Sequence, residues 1–382
     1  MENKYIVIIA GEISGDQHAA LLVSALKKID PLLSFSGLGG EKMKSAGVEL
    51  YRELTQYAAV GFWEVIKNYS FYRKVFLETL DKIRALQPAC VILVDYPGFN
   101  LRLAKEIKKL NIKVVYYISP KVWAWKQSRV WQIKKYVDQL LVIFKFEQDF
   151  YAQFGIVAHY VGNPLLDALV IKKPKALFLR ERGLDDYKTT IALLPGSRHN
   201  EITTHLPILL KSAALLKKDF PMMQFLLMKA PSTPMALLQE HCHPYSNLNI
   251  AIVDNEEYYD GLSAADFAIV ASGTATLETG ILEKPMVIIY KISWLTYLLA
   301  KTFVKIPSYG LINIVAKMEI MPELIQQEAR PEKIAQKMKE IFTDENKVAV
   351  MKNNLREIRR DLDTGGASAR AAEKIAGLLA GN

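Results

Sequence analysis

The sequence predicts an α/β protein built from two doubly wound parallel sheets. Three observations predict it. Short Val- and Ile-rich runs recur without polar alternation, as expected of strands buried on both faces. Amphipathic helical stretches separate these runs, which is the pattern of strand–helix–strand units. The alternation then restarts after residues 164–175, in a chain whose 382 residues exceed one ordinary core. Two similar Rossmann-like domains facing across a cleft is the simplest architecture, with a linker near residues 165–190.

Taken in order, the strand candidates of the first half are Tyr5–Ala10, Phe35–Leu38, Cys90–Val94, Val114–Ile118 and Leu140–Phe144. Those of the second half are Ile191–Leu194, Gln224–Met228, Ile250–Val253, Phe267–Val270 and Met286–Tyr290. Helical spacing falls between them, for example over Asp16–Ile29, Asn100–Leu110 and Glu201–Lys218. A final helical segment, Val348–Leu379, is highly charged at first and is broken at Asp363-Thr-Gly-Gly366. No low-complexity tract or short repeat interrupts the pattern.

Composition narrows the function. An apolar fraction of 51% with 23% charged residues belongs to a folded chain. The balance of 49 basic against 40 acidic residues gives a net charge of +9. That charge suits phosphorylated substrates, an anionic membrane surface or nucleic acid. There is no recognised nucleic-acid module and no concentrated basic stripe, so no nucleic-acid partner is expected. The two cysteines, Cys90 and Cys242, lie far apart, which argues against a disulfide framework and for a reducing compartment. No signal-peptide pattern is read at the N-terminus. The most membrane-like stretch, Met286 to Val304, is interrupted by Lys291 and Lys301 and is not expected to span a bilayer.

Three strand–turn–helix junctions carry the strongest chemical signal. Phe267-Ala-Ile-Val-Ala-Ser-Gly-Thr-Ala-Thr-Leu-Glu278 reads as a buried strand, a turn of small residues and a first helical turn. Its free N–H groups and the helix dipole suit a phosphate. Glu278, one to two turns into the helix, can accept hydrogen bonds from two ribose hydroxyls. The bland alternative is a helix capped by Ser272 or Thr274. Gly196-Ser197-Arg198 ends a second such strand, where glycine allows close approach and the arginine fork suits a diphosphate. A surface arginine is the alternative there. Gly11-Glu12-Ile13-Ser14-Gly15-Asp16 ends the first strand, at the edge where open α/β sheets bind ligands. It is neither a Walker loop nor a dinucleotide fingerprint. Gly37-Leu-Gly39 has Lys42 where the third glycine belongs, so no nicotinamide or flavin cofactor is expected.

Asp95 ends the strand Cys90–Val94 just before Pro97-Gly98. It can serve as a general base or merely cap the turn, and local sequence leaves the two open. Ser119-Pro-Lys-Val-Trp-Ala-Trp-Lys126 follows another strand and offers Trp123 and Trp125 with two lysines to a sugar or lipid. His241-Cys242-His243 lacks a second ligand cluster, so no metal is expected. Asp361 and Asp363 read as solvated charge. Over Val60–Leu77, residues Phe62, Ile66, Tyr69, Tyr72 and Phe76 follow helical spacing, Trp63 widens the apolar face, and Lys67, Arg73 and Lys74 are interleaved. Such a helix can lie in a lipid interface or in the core, and the sequence leaves both open.

In this order, the segments Ala10–Asp16, Val94–Asn100, Ser119–Trp125, Val161-Gly-Asn-Pro-Leu165, Leu194–Arg198 and Ala271–Glu278 resemble the lipid-A-disaccharide synthases. The resemblance covers nearly the whole chain. It implies the two-domain glycosyltransferase fold called GT-B. Residues 1–168 would form the acceptor- and membrane-facing domain, completed by helices 346–382, and residues 169–345 the UDP-sugar domain. It further implies inverting transfer from UDP-2,3-diacylglucosamine to 2,3-diacylglucosamine-1-phosphate (lipid X), giving a β-1,6-linked disaccharide and UDP. No metal or cofactor is implied. The setting it implies is the cytoplasmic face of the inner membrane, with peripheral attachment and a homodimer among the open assemblies.

By the same resemblance Asp95 is the base, with Glu12 and Ser14 at the catalytic site in less defined roles. Gly196, Ser197, Arg198, Ser272, Gly273, Thr274, Glu278 and Asn313 would bind the nucleotide sugar. Phe62, Trp63, Ile66, Tyr69, Tyr72, Arg73 and Phe76 would meet lipid. Two positions depart from the family pattern: Asn163 stands where many members have histidine, and Gly98 where some have a second acid. Alternatives are a UDP-sugar epimerase, a transferase with a soluble acceptor, or a non-catalytic nucleotide sensor.

Overall fold

The computed structural model describes residues 5–53, 69–123, 126–231, 233–292, 308–362 and 365–381. The chain forms two compact units, Met1–Ala168 with Leu362–Asn382, and Leu169–Asp361.

Unit 1 carries a parallel sheet of β1 (Tyr5–Ala10), β2 (Ser34–Gly39), β3 (Glu49–Glu53), β4 (Cys90–Val94), β5 (Lys113–Tyr117), β6 (Gln139–Val142) and β7 (Ala158–Tyr160). Their spatial order is β3-β2-β1-β4-β5-β6-β7. Helices α1 (Ile13–Ile29), α2 (Glu41–Ser45), α3 (Tyr69–Leu86), α4 (Pro97–Lys108), α5 (Val130–Tyr136), α6 (Lys145–Ala152) and α7 (Leu165–Ala168) connect or follow them.

Alternate residues of each strand feed two cores. Val7, Ile9, Val91, Leu93, Val114 and Tyr116 bury on one face. Ile6, Ile8, Cys90, Ile92, Val115 and Tyr117 bury on the other. Because both faces are apolar, the strands show no polar alternation in sequence. The pairing Ile6↔Cys90 through Ala10↔Val94 brings the ends of β1 and β4 side by side.

Unit 2 repeats the plan with β8 (Thr190–Leu194), β9 (Gln224–Met228), β10 (Ile250–Val253), β11 (Phe267–Ala271), β12 (Met286–Tyr290) and β13 (Glu323–Ile325), ordered β10-β9-β8-β11-β12-β13. Its helices are α8 (Lys175–Arg180), α9 (His199–Asp219), α10 (Met235–Cys242), α11 (Tyr258–Ala264), α12 (Thr274–Ile281), α13 (Leu311–Ala316), α14 (Pro331–Phe342) and α15 (Glu345–Asp361).

The C-terminal helix α16 (Ala367–Ala380) returns to unit 1. Ala371, Ala372 and Ile375 bury in the same core as Ala19, Leu22 and Leu26 of α1. The Asp167 carboxylate accepts the Gly366, Ala367 and Ser368 N–H groups at 2.5, 3.3 and 2.7 Å, which caps α16 and complements its dipole. The sequence reading joined all of 346–382 to the first domain. Instead α15 stays in unit 2, where Met351, Leu355 and Ile358 are buried and Leu355 packs close to Gly280 of α12.

Of the residues expected to meet lipid, Tyr72, Arg73 and Phe76 lie among the described side chains. Tyr72 and Phe76 of α3 pack against the core of unit 1, and Phe76 meets Phe99 edge-on with ring centroids 5.5 Å apart. Arg73 and Lys74 are exposed. Phe62, Trp63, Ile66 and the Tyr69 side chain lie outside the described residues, as does Trp125. No helix among the described residues is long and apolar enough to cross a membrane.

Candidate active site

In a sheet of this order the direction of winding reverses between the first and fourth strands, and ligands bind outside their carboxyl ends. In unit 1 that point lies between β1 and β4. The turn after β4 puts Asp95 and Tyr96 in the left-handed region, at φ 44° and 47°. Backbone strain of this kind costs on the order of 1–3 kcal/mol per residue and persists only when neighbours enforce it. The neighbours are visible. The Asp95 N–H donates to the Tyr117 carbonyl at 3.0 Å. The Asp95 carbonyl accepts the Tyr116 hydroxyl at 2.6 Å and the Asn100 amide at 2.7 Å. The Tyr96 ring lies over Gly11, where any Cβ would come within 2.3 Å of it, so only glycine fits at the end of β1.

Glu12, next in the chain, caps α1 with extended backbone and acts electrostatically on Asp95. Burial and the negative charge of Glu12 push the Asp95 carboxyl up to about 7, against the opposing pull of the Lys121 ammonium and the Tyr96 N–H. A carboxyl titrating near neutrality is suited to take a proton from a hydroxyl. Ser14 lies in the first turn of α1. Asp16 is structural, because its carboxylate accepts the Gly40, Lys42 and Met43 N–H groups at 2.8, 3.1 and 3.1 Å and caps α2.

Lys121 sits on a well-anchored loop. The Ser119 and Tyr151 hydroxyls are 2.5 Å apart, and the Trp123 indole donates to Glu147 at 3.1 Å. Glu147 is buried in α6 and also accepts the Ile143 and Phe144 N–H groups at 3.1 and 3.0 Å. Sequence reasoning missed Glu147. Its signal was a glutamate three residues inside a helix start, the position that reaches back to the cap.

In unit 2 the matching point lies between β8 and β11. After β11, the Ser272 N–H donates to the Ile289 carbonyl at 2.8 Å and the Ser272 hydroxyl to the Tyr309 carbonyl at 2.7 Å. Ser272 is therefore an anchor, not the open donor that the sequence suggested. The open groups come next. Gly273 is exposed, no described residue stands within 4 Å of where its Cβ would be, and α12 starts at Thr274. The first N–H groups of a helix have no intrahelical acceptor, so Gly273, Thr274 and Ala275 present donors at the positive end of α12.

One turn further, Glu278 accepts the Tyr258 and Tyr259 hydroxyls at 3.1 and 3.0 Å. Burial raises its carboxyl above the usual range, and the two phenols oppose that rise.

The loop after β8 corrects a second expectation. Gly196 takes φ 112°, and the Glu201 carboxylate lies against it, accepting the Ser197 and Arg198 N–H groups at 3.0 and 3.3 Å. The Arg198 guanidinium pairs with the same carboxylate at 2.8 Å. An internal anion fills this seat, where the sequence suggested a ligand phosphate. Buried His205 fixes the loop from below, with Nδ1 2.9 Å from the Pro195 carbonyl and Nε2 3.0 Å from the Lys291 N–H.

Asn313 takes a different place from the one expected. It is fully buried, its amide donates to Met321 O and Glu323 at 2.7 and 2.8 Å, and its oxygen accepts the Ile320 and Met321 N–H groups at 3.0 and 2.9 Å. Glu323 in turn accepts the Tyr309 and Gly310 N–H groups. Asn313 thus organises the loop on which Ser272 is anchored and has no donor left for a sugar.

Comparison with known proteins agrees with the fold and identifies a family. Residues 6–376 match a family model described as Lipid-A-disaccharide synthetase. A lipid-A-disaccharide synthase 1 of Legionella pneumophila (strain Philadelphia 1) is 42% identical over 364 residues, covering 95% of this chain and 94% of that protein. Among solved structures, the S. aureus MnaA–UDP co-structure superposes with a TM-score of 0.67 at 13% identity, covering 99% of this chain and 97% of that one. The calicheamicin glycosyltransferase CalG4 gives 0.63 at 15% identity, with 100% and 99% covered. At such identities the two structures support the two-domain α/β fold alone.

Proposed function

The chain belongs to the lipid-A-disaccharide synthase family, and on that premise we propose the following reaction. It is an inverting glycosyltransferase that joins UDP-2,3-diacylglucosamine to 2,3-diacylglucosamine-1-phosphate. The observation that carries this reading is Asp95, a strained, desolvated carboxyl titrating near 7 at the winding-reversal point of unit 1.

Asp95 takes the proton of the acceptor 6′-hydroxyl, that oxygen bonds to C1 of the donor sugar, and the C1–phosphate bond breaks. UDP departs with the bonding pair, and the product is the β-1,6-linked disaccharide 1-phosphate. Charge growing on the leaving phosphate is met by the N–H groups of Gly273, Thr274 and Ala275 and by the α12 dipole, a preorganised arrangement that needs no metal. Glu278 receives the ribose hydroxyls. Glu12 keeps Asp95 basic, and Ser14 stands in the helix turn beside it. Arg198 serves through its pairing with Glu201, which shapes the loop after β8. The acyl chains imply a peripheral place on the cytoplasmic face of the inner membrane, with exposed Arg73 and Lys74 suited to anionic headgroups.

The test is acceptor-dependent UDP release by purified protein in EDTA, with the disaccharide identified by mass. Full turnover in EDTA that is lost in Asp95→Asn supports the reading. Full activity in a folded Asp95→Asn protein removes Asp95 from the chemistry, and a requirement for added metal overturns metal independence.

A further inference from the structure

A carboxylate that reads two vicinal hydroxyls must stay ionised and keep one orientation, and burial works against the first of these. Glu278 is desolvated at the side of α12, yet each of its oxygens accepts one phenol, Oε2 from Tyr258 and Oε1 from Tyr259. The two rings are neighbours on the first turn of α11 and brace each other edge-on, with centroids 5.3 Å apart. A carboxylate offers about four lone-pair sites, so two remain once both phenols are bound.

We propose that Tyr258 and Tyr259 are positioning residues that hold the Glu278 carboxylate for a vicinal diol, and so make this site select a ribonucleotide over its deoxy forms. The inference rests on the reading that Glu278 meets the ribose. It goes further by assigning sugar discrimination to two residues of α11 that act through Glu278. A site built to accept hydroxyl donors discriminates strongly against a ligand lacking them, because its acceptors are then left unpaired. Without the phenols the carboxylate can turn and protonate, and the discrimination falls. Among the described residues no charged side chain enters this balance: burial raises the Glu278 carboxyl, and the two tyrosines oppose it.

The experiment is titration of the full-length protein with UDP and with 2′,3′-dideoxy-UDP, for wild type, Glu278→Gln, Tyr259→Phe and Tyr258→Phe/Tyr259→Phe. Wild type should bind UDP at least tenfold more tightly than the dideoxy form. The double variant should lose most of that ratio by weakening UDP about tenfold while leaving the dideoxy form within about twofold. Its UDP affinity should also fall at a higher pH than that of wild type as the solution is acidified. If Glu278→Gln keeps the full ratio, the ribose reading of Glu278 fails. If Glu278→Gln collapses the ratio but the tyrosine variants retain it, the ribose reading stands and the positioning role is overturned. Tighter UDP binding by the phenylalanine variants also overturns it, because the phenols would then compete with the ribose. Should the double variant not fold, Tyr259→Phe alone decides, with an expected loss of about threefold in the ratio.

Discussion

The two units share one winding order and place groups of opposite charge at it. In both, the functional loops follow the first and fourth strands, at the point where winding reverses. In unit 1 these loops carry acids. Glu12 follows β1, and Asp95 follows β4 on a strained turn locked by Tyr116, Tyr117 and Asn100. In unit 2 the loop after β11 carries small residues and open N–H groups, and the loop after β8 is closed by its own Glu201. One edge collects negative charge and can accept a proton, while the other presents positive dipole ends and can hold a leaving anion. The lesson is that topology fixes where chemistry happens, and the few residues beyond each strand fix its sign.

The largest expected effect breaks the first half of that comparison. Asp95→Asn should lower kcat by about 10²–10⁴, the usual contribution of a positioned base. Steady-state rates with circular dichroism as a folding check decide it, and a loss below about tenfold would show that another group takes the proton. Next in size, Asn313→Ala should be a stability variant of unit 2. It leaves the Ile320 and Met321 N–H groups and the Met321 carbonyl without partners, at a cost of about 3 kcal/mol, or roughly 6–12 °C in Tm. A normal Tm with lost sugar binding would instead make Asn313 a ligand contact.

Much of this comparison was legible in sequence, for a physical reason. The central strands are buried on both faces, so runs such as Cys90–Val94 and Met286–Tyr290 are written in continuous apolar residues. The strands not marked in sequence, β3, β7 and β13, are all edge strands, are three to five residues long and mix in charged or polar side chains. The positions of Asp95 and of the β11–α12 turn were legible because strand ends and small-residue turns mark themselves locally, whereas the role of Asp95 as base rested on the family resemblance. Tyr258 and Tyr259 were not, because their partner Glu278 lies 20 and 19 residues away and only the fold brings them together. Gly196–Arg198 marked itself in sequence as a glycine turn after a strand, whereas Asn313, buried in α13, was named by the family resemblance alone. Which groups already had partners could be known only in three dimensions.

A finer test of unit 2 is Thr274→Pro. Proline fits the first position of a helix and removes a single N–H. UDP affinity should fall about tenfold, the worth of one charge-assisted hydrogen bond, with Tm little changed. Unaltered affinity by calorimetry would move the diphosphate away from α12.

The smallest expected effects sharpen the account of charge in unit 1. Asp95 works as a base only when ionised, so activity should decline as pH falls through about 7. Glu12 raises the Asp95 carboxyl and Lys121 lowers it, so Glu12→Gln should move the acid limb of the pH–rate profile to lower pH and Lys121→Ala to higher pH. Shifts in the same direction for both variants would mean that the limb reports some other group.

The division of labour is tested most directly by titrating UDP into the Asp95→Asn protein. If the base and the nucleotide seat belong to different units, this protein binds UDP within about twofold of wild type although transfer is lost. A tenfold weaker affinity would place Asp95 in the nucleotide site and contradict the assignment of proton transfer to one edge and the leaving group to the other.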